Sequence, residues 1–217
     1  MKLQFLLEHF AVAVSAISGV LAARGKRVDL FGVVVLAVVT ALGGGTVRDL
    51  LLENAQVFWV RHPDYLYNSV LTAVATFFLV RYRDLQGTGL LVADAFALAL
   101  FSIVGTQKAL EFSVAPAIAA ALGVVTGVVG GLLRDVLLIE IPLVFRTEIY
   151  FYATASLCGS VVFLALNHWR PHSPANLVLA VILTLLLRLV AIKWKLSLPI
   201  FQPVTDTAEG KKTNARR

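Results

Sequence analysis

Seven long apolar segments dominate this sequence and restrict the folds that are available to it. A helix needs about 20 mainly apolar residues to cross a bilayer. The charged residues, only 15% of the total, lie between the apolar segments, whereas soluble domains carry about 25%. We therefore predict an all-α membrane protein with seven transmembrane helices. Their expected positions are about 3–23, 29–52, 66–80, 90–110, 114–138, 148–166 and 176–194.

The distribution of lysine and arginine predicts the orientation of these helices. Positive residues accumulate in the cytoplasmic loops of membrane proteins. In this chain most of them follow the first, third, fifth and seventh segments, and few lie on the other side. We therefore expect a multi-pass protein with its N terminus outside and its C terminus in the cytoplasm. The same distribution argues against a nucleic-acid-binding face.

An internal duplication is the strongest signal in the chain. The motif Gly44–Leu52, GGTVRDLLL, recurs 86 residues later as Gly130–Leu138, GGLLRDVLL, and the same offset aligns Glu8 with Asp94. Because each copy holds three spans, an odd number, the second copy must cross the membrane in the opposite direction. The predicted divisions are a first three-helix repeat at 1–87, a second, inverted three-helix repeat at 88–168, a seventh transmembrane helix at 169–195 and a disordered cytoplasmic tail at 196–217.

A glycine precedes each charged residue of the motif by one helical turn. Residues four apart lie on the same helix face, so each charged side chain lies over a bare glycine surface. The pairs are Gly44 with Arg48, Gly45 with Asp49, Gly130 with Arg134 and Gly131 with Asp135. Either the glycines only let two helices pack closely, or they also break the helices so that freed carbonyls face a pore. We favour packing combined with a break.

Charges inside the predicted spans indicate function. An arginine at the centre of a membrane helix costs at least about 2.5 kcal/mol, so it needs a compensating role. On unbroken helices, Arg48 and Arg134 are separated by ~20 Å along the membrane normal, which gives two charge layers. We predict that Arg48 pairs with Glu8 near the outside and Arg134 with Asp94 near the inside, at opposite ends of a polar path. The alternative is that these charges are interfacial anchors that snorkel to the headgroups.

The fourth span has polar residues that its counterpart in the first repeat lacks. Ser102, Thr106 and Lys108 are candidates for the lining of an outer vestibule, with Lys108 as a gating or anion-attracting charge. A lysine at the outer end of a helix is equally explained as an interfacial anchor, the interpretation that we favour slightly. For Arg188 in the seventh span, snorkelling towards the basic cytoplasmic end is the default expectation.

Several classes of site are excluded by the pattern. The four histidines share no helical spacing, which argues against a metal site. The serines in the spans lack a histidine and a carboxylate at usable spacing, which argues against a hydrolase. We therefore predict neither an enzyme nor a cofactor.

The doubled motif resembles that of a known family. The segments Gly43–Asp49 and Gly130–Asp135 are similar to motifs of the prokaryotic trimeric intracellular cation channels, and the likeness covers about residues 5–195. Further support comes from Ala16–Gly19, Asp29–Gly32 and Gly105–Ala109.

The resemblance implies a homotrimer in a prokaryotic inner membrane. Each protomer would hold its own pore, permeable to potassium and sodium, with glycine-broken helices two and five beside helices one and four. The pore or pore-supporting residues that the likeness implies are Gly44, Gly45, Arg48, Asp49, Gly130, Gly131, Arg134 and Asp135.

Two other functions stay open at this point. Some bacterial proteins of similar sequence are associated with the uptake of small amino acids such as glycine, and an inverted repeat suits alternating access as well as a channel. A structural membrane scaffold is the third class. The doubled intramembrane arginine argues against a scaffold, because such charges usually mark function.

Overall fold

The computed structural model describes residues 2–53, 56–81, 88–146 and 152–194. The predicted disordered tail at 196–217 lies outside the described residues, as does the start of the predicted span 148–166.

Seven helices of 18 residues or more, one short helix and one 3-10 turn make up the described chain, which contains no β-strand. Five of the long helices are long and apolar enough to cross a membrane, and a sixth carries a shorter apolar run over Asp64–Val80. The elements are α1 (Lys2–Ala23), α2 (Leu30–Leu51), α3 (Phe58–Arg61), α4 (Asp64–Arg81), α5 (Thr88–Glu111), α6 (Pro116–Leu137), the 3-10 turn Leu143–Phe145, α7 (Tyr152–Trp169) and α8 (Pro174–Trp194).

The prediction of an all-α membrane protein with two inverted three-helix repeats and a seventh helix is confirmed. The helices α1, α2 and α4 form the first repeat, α5, α6 and α7 form the second, and α8 packs against α5 and α7. The two repeats meet where α2 packs against α6 and α1 against α5. We call the side where α1 begins the first face and the opposite side the second face.

The repeat extends to the ends of the helices. The backbone N–H of Leu52 donates to the carbonyl of Arg48, and that of Leu138 donates to the carbonyl of Arg134. The next residues, Glu53 and Ile139, have φ values of 51° and 57°. A left-handed residue directly after a helix stops the helix and turns the chain. Both motif helices therefore end in the same way at equivalent positions.

The glycines of the motif lie where α2 crosses α6. A side chain on Gly44 would collide with the carbonyl oxygen of Thr126, and one on Gly130 would collide with the carbonyl oxygen of Thr40. The two backbones approach within contact distance at this crossing, an arrangement that only glycine permits. The predicted packing role of these glycines is therefore confirmed.

The predicted break in the motif helices is wrong. The helix α2 runs without interruption through residues 43–45, and α6 runs without interruption through residues 130–131. Glycine lowers helix propensity by about 1 kcal/mol relative to alanine. Here the packing of each glycine against the partner backbone offsets that cost, because the facing helix can come closer than any side chain would allow.

Candidate functional site

Two buried clusters of charge lie at opposite ends of the contact between α2 and α6. Arg48 is 3% exposed and Arg134 is fully buried. Because α2 ends at the first face and α6 ends at the second, the two guanidinium groups lie towards different sides of the membrane. We call the groups around them the first-face cluster and the second-face cluster. The snorkelling interpretation of both arginines is wrong, because neither side chain reaches the surface.

In the first-face cluster, Arg48 is held by the carboxylate next to it in the chain. Its Nε and Nη2 donate to Asp49 Oδ1 at 2.9 and 2.7 Å. The other oxygen of Asp49 accepts from the backbone N–H of Phe58 at 2.8 Å, so the motif fixes the start of α3. The Arg48 guanidinium lies 5.7 Å from the centroid of the Phe58 ring, a favourable cation–π distance.

The second-face cluster repeats this arrangement and adds partners from other helices. Arg134 Nε donates to Asp135 Oδ1 at 2.8 Å, and Asp135 Oδ2 accepts from the backbone N–H of Leu143 at 2.7 Å. In addition, Arg134 Nη1 donates to Asp94 Oδ1 of α5 at 3.0 Å and to Ser18 Oγ of α1 at 3.2 Å. This cluster therefore joins the two repeats.

Of the two predicted ion pairs, the one between Arg134 and Asp94 is confirmed. The predicted pair of Arg48 with Glu8 is wrong, since the ion pairs of the described residues include Arg48 only with Asp49. Glu8 instead accepts hydrogen bonds from Tyr65 of α4 and from Gln4, the latter at 3.1 Å. The tyrosine hydroxyl supplies the partner that the arginine was expected to provide.

The second glycine of each motif makes room for its cluster. A side chain on Gly45 would meet the ring of Phe58. One on Gly131 would lie 3.1 Å from Tyr152 Oη and 3.2 Å from Asp94 Oδ1. The absence of a side chain at Gly45 and Gly131 therefore leaves space for the residues that pack around each arginine.

Lys108 completes the first-face cluster. Its ammonium group lies 5.6 Å from the centroid of the same Phe58 ring that Arg48 contacts. Tyr65, which donates to Glu8, packs against this ring as well, with ring centroids 5.1 Å apart. With Glu8 and Asp49, the cluster holds two cations and two carboxylates. Lys108 is therefore more than an interfacial anchor, because it is packed against a buried aromatic ring.

Ser102 and Thr106 lie elsewhere than predicted. Both are fully buried and face α7, where Ser102 Oγ is 2.5 Å from Ser156 Oγ and Thr106 Oγ1 donates to Ser160 Oγ at 2.9 Å. They form a polar ladder between two helices of the second repeat. The sequence signal available for this contact was the four-residue spacing of the hydroxyl residues on both helices, Ser102 and Thr106 on α5 and Ser156 and Ser160 on α7.

Arg188 is a site residue that the sequence reasoning missed. It was expected to snorkel, yet its side chain is fully buried and its guanidinium lies 4.6 Å from the centroid of the Tyr152 ring. It follows Ala180 and Thr184 at four-residue intervals on the buried face of α8. That run of small residues beside an arginine was the available signal. The second-face cluster thus also holds two cations, Arg134 and Arg188, with Asp94 and Asp135 as carboxylates.

Metal binding finds no support in the part of the chain that the structure describes, where no three histidine, cysteine, aspartate or glutamate side chains come together.

Comparison with known proteins finds membrane-protein relatives over most of the chain. A family model described as "Glycine transporter" matches residues 5–81 and 91–168. The inner membrane protein YadS of Escherichia coli K12, placed in group UPF0126, is 46% identical over 202 residues, which cover 92% of this chain and 96% of that protein. A UPF0126 membrane protein of Vibrio cholerae is 44% identical over 92% of this chain and 83% of its own.

Solved structures extend the assignment. The TRIC trimeric intracellular cation channel orthologue from Rhodobacter sphaeroides is 37% identical, covers 90% of this chain and 100% of its own, and superposes with a TM-score of 0.85. A prokaryotic TRIC channel solved in 0.5 M KCl is 30% identical over 91% of this chain and 99% of its own, with a TM-score of 0.83. The chain belongs to the prokaryotic TRIC family. The predicted family resemblance is therefore confirmed.

This TRIC family member also has an ionic link between its repeats at the second face. Glu140, after α6, accepts from Lys26, after α1, at 2.5 Å and from Arg146 Nη2 at 2.6 Å. The hydrogen bonds from Lys26 and then Arg146 hold the pKa of the Glu140 carboxyl below its usual range. The link therefore stabilises the folded state above the ordinary carboxyl pKa, and this stabilisation is lost as the pH falls through the lowered value.

We expect Glu140→Gln to lower the free energy of unfolding of this TRIC protein by less than about 1 kcal/mol, because the three side chains are about one third exposed and screened by solvent. Thermal unfolding in detergent at neutral pH and at low pH measures the effect. The difference between variant and wild type should be present at neutral pH and vanish in acid. A difference that grows as the pH falls would contradict the assigned ion pair.

Proposed function

We propose that this protein is a monovalent cation channel, permeable to potassium and sodium, with one pore through each protomer of a homotrimer. The main support for this proposal is the pair of buried clusters, each with two cations and two carboxylates, at opposite ends of the interface between the inverted repeats. The solved relatives described as cation channels support the same class of function. The N terminus lies outside and the C terminus in the cytoplasm in this proposal, as the positive charges indicate.

Asp94 is the residue that a passing cation would contact at the second-face cluster. Its Oδ1 binds Arg134, while its Oδ2 is buried and makes no hydrogen bond with the described residues. A buried carboxylate oxygen without a donor is a strong ligand for a cation, because no hydrogen bond has to be broken. Arg134 opposes it, so a shift of the guanidinium away from Asp94 would favour an ion.

The other site residues support this path. Asp49 and Asp135 hold the arginines and the following turns, so their role is to position the guanidinium groups. The close crossing of α2 and α6 at Gly44 and Gly130 keeps the interface between the clusters narrow. Lys108 adds a positive charge at the first-face mouth, which opposes cation entry when its side chain points inward.

Recording from purified protein in a planar bilayer under a potassium chloride gradient tests the proposal. We expect discrete single-channel currents. Their reversal potential should be shifted from zero towards the equilibrium potential of potassium. Asp94→Asn should reduce the single-channel conductance several-fold, because the neutral amide attracts a cation less strongly. The matched control is Glu53→Gln, an exposed carboxylate at the first face. Equal conductance in Asp94→Asn and wild type would contradict the role of Asp94.

The second candidate is a secondary transporter of a small amino acid such as glycine. The description of the matched family model favours it, and inverted repeats are common in such carriers. Reconstituted vesicles separate the two functions. A carrier exchanges labelled glycine against unlabelled glycine inside the vesicle and saturates, whereas a channel passes potassium current without counterflow. Counterflow without unitary current would replace the channel proposal with the carrier.

A further inference from the structure

A cavity of about 300 Å³ opens at the first face, beside the first-face cluster. It lies between the beginning of α1, the ends of α5 and α7, and the beginning of α8. Pockets for small molecules begin at about this volume. Only α1 and α5 contribute to both the cavity and the first-face cluster, so a ligand here would not occupy the space between the arginines.

The end of α5 supplies hydrogen-bond acceptors to the cavity. Glu111 and Gln107 lie one turn apart on α5 and both line the cavity. Gln107 Nε2 donates to Gln4 Oε1 at 3.2 Å, which leaves Gln107 Oε1 as an acceptor. The ion pairs among the described residues do not include Glu111, which is exposed to solvent at this face. A carboxylate beside an amide oxygen suits an ammonium group.

The end of α7 and the turn before α8 supply donors to the cavity. The Asn167 Oδ1 atom accepts from the backbone N–H of His172 at 3.2 Å, so its Nδ2 group remains to donate. Ser173 also lines the cavity, and its hydroxyl is a second possible donor. His172 has a φ of 59°, a left-handed conformation that is costly for a residue with a side chain and is held here by the Asn167 contact. Amide and hydroxyl donors suit a carboxylate.

The floor of the cavity is apolar. It is formed by residues of three helices, Leu110, Phe163 and Leu177. Phe163 and Leu177 are buried, and they are part of one hydrophobic cluster with Leu110 packed against it. A ligand with an apolar side chain would cover this surface, whereas glycine would leave it exposed to water.

We propose that this cavity binds a zwitterionic amino acid with an aliphatic side chain. The α-ammonium group binds Glu111 and the Gln107 carbonyl, the α-carboxylate binds Asn167 Nδ2 and the Ser173 hydroxyl, and the side chain packs on Leu110 and Phe163. The site is separate from the ion path, so it stands whether the protein conducts ions or not. A hydrogen-bond chain from Gln107 through Gln4 to Glu8 connects it to the first-face cluster.

Isothermal titration calorimetry of the purified full-length protein in detergent tests the proposal with three probes that share one branched aliphatic chain. These are leucine, isoamylamine, which lacks the carboxylate, and 4-methylpentanoate, which lacks the ammonium group. We expect saturable binding of leucine and at least about tenfold weaker binding of each analogue, because each loses one charge-assisted contact. Glycine should bind more weakly than leucine, because it leaves the floor uncovered.

Two variants give the site-specific readout. Glu111→Gln should weaken leucine binding by about tenfold or more and leave the weak binding of 4-methylpentanoate unchanged. Glu53→Gln, at the same face but outside the cavity, should bind leucine as wild type does. Equal binding of leucine and isoamylamine, unchanged leucine binding in Glu111→Gln, or no saturable binding of leucine would each overturn the proposal. Single-channel currents of Glu111→Gln that match wild type would show that the cavity is independent of conduction.

Discussion

Replacement of Arg134 by glutamine should lower the free energy of unfolding by about 3–5 kcal/mol, the cost of breaking a buried ion pair from one side. The guanidinium is fully buried and is the partner of both Asp94 and Asp135. Without it, two buried carboxylates lose the cation that pairs with both of them. The glutamine amide is uncharged and offers two N–H donors in place of five.

Thermal unfolding and the yield of folded protein in detergent measure the effect of Arg134→Gln on stability. A double variant, Arg134→Gln with Asp94→Asn, removes one orphaned charge and should recover a substantial part of the loss. That recovery separates the charge effect from a packing effect, which the second change would leave or worsen. Equal stability of Arg134→Gln and wild type would show that the cluster is hydrated or neutral, contrary to its burial.

The second large effect is expected at the crossing of α2 and α6. Gly44→Ala should destabilise the protein by about 3 kcal/mol, the upper part of the usual range for overpacking. The added methyl group would collide with the backbone carbonyl of Thr126, which belongs to a helix and cannot turn aside. The two repeats would have to separate along their main interface, so channel activity should be lost as well.

Gly43→Ala is the matched control, because it lies one residue away in the same helix. Its methyl group would clash only with Leu133 Cδ1 at 2.8 Å, the end of a flexible side chain that can change rotamer, and would meet the Gly130 Cα at an ordinary 4.0 Å. Both substitutions raise helix propensity equally, so any difference between them reports the crossing alone. Thermal unfolding of the two variants side by side makes the measurement. Similar stability in both would contradict the close backbone approach.

The sequence predicted the long helices and their duplication because both are local properties. Hydrophobic length decides whether a segment crosses a bilayer, independently of its neighbours. The offset of 86 residues also extends to features that were not used to find it, since Glu53 and Ile139 share a left-handed conformation. The pair of Arg134 with Asp94 was predicted from the equal depth of the two charges, but the same argument failed for Arg48 and Glu8.

Side-chain partners around the first-face cluster depended on the tertiary structure. Arg48 forms an ion pair with Asp49, and Glu8 accepts a hydrogen bond from the hydroxyl of Tyr65. No spacing rule predicts that Tyr65 of α4 lies next to Glu8. An arginine reaches about as far along its own helix as across to the next one. Which carboxylate Arg48 binds therefore depends on α4, whose Tyr65 donates to Glu8 and leaves Asp49 as the partner of the arginine.

By itself the sequence determined that this protein is a helical membrane protein with two inverted repeats, since hydropathy and internal symmetry are written along the chain. Only the tertiary structure decided that the glycines join two unbroken helices, that Arg188 is buried on Tyr152, and that Ser102 and Thr106 face α7. The physical reason is that these outcomes depend on distances between helices. A periodic pattern gives the face on which a residue lies, but packing alone decides which neighbour meets that face.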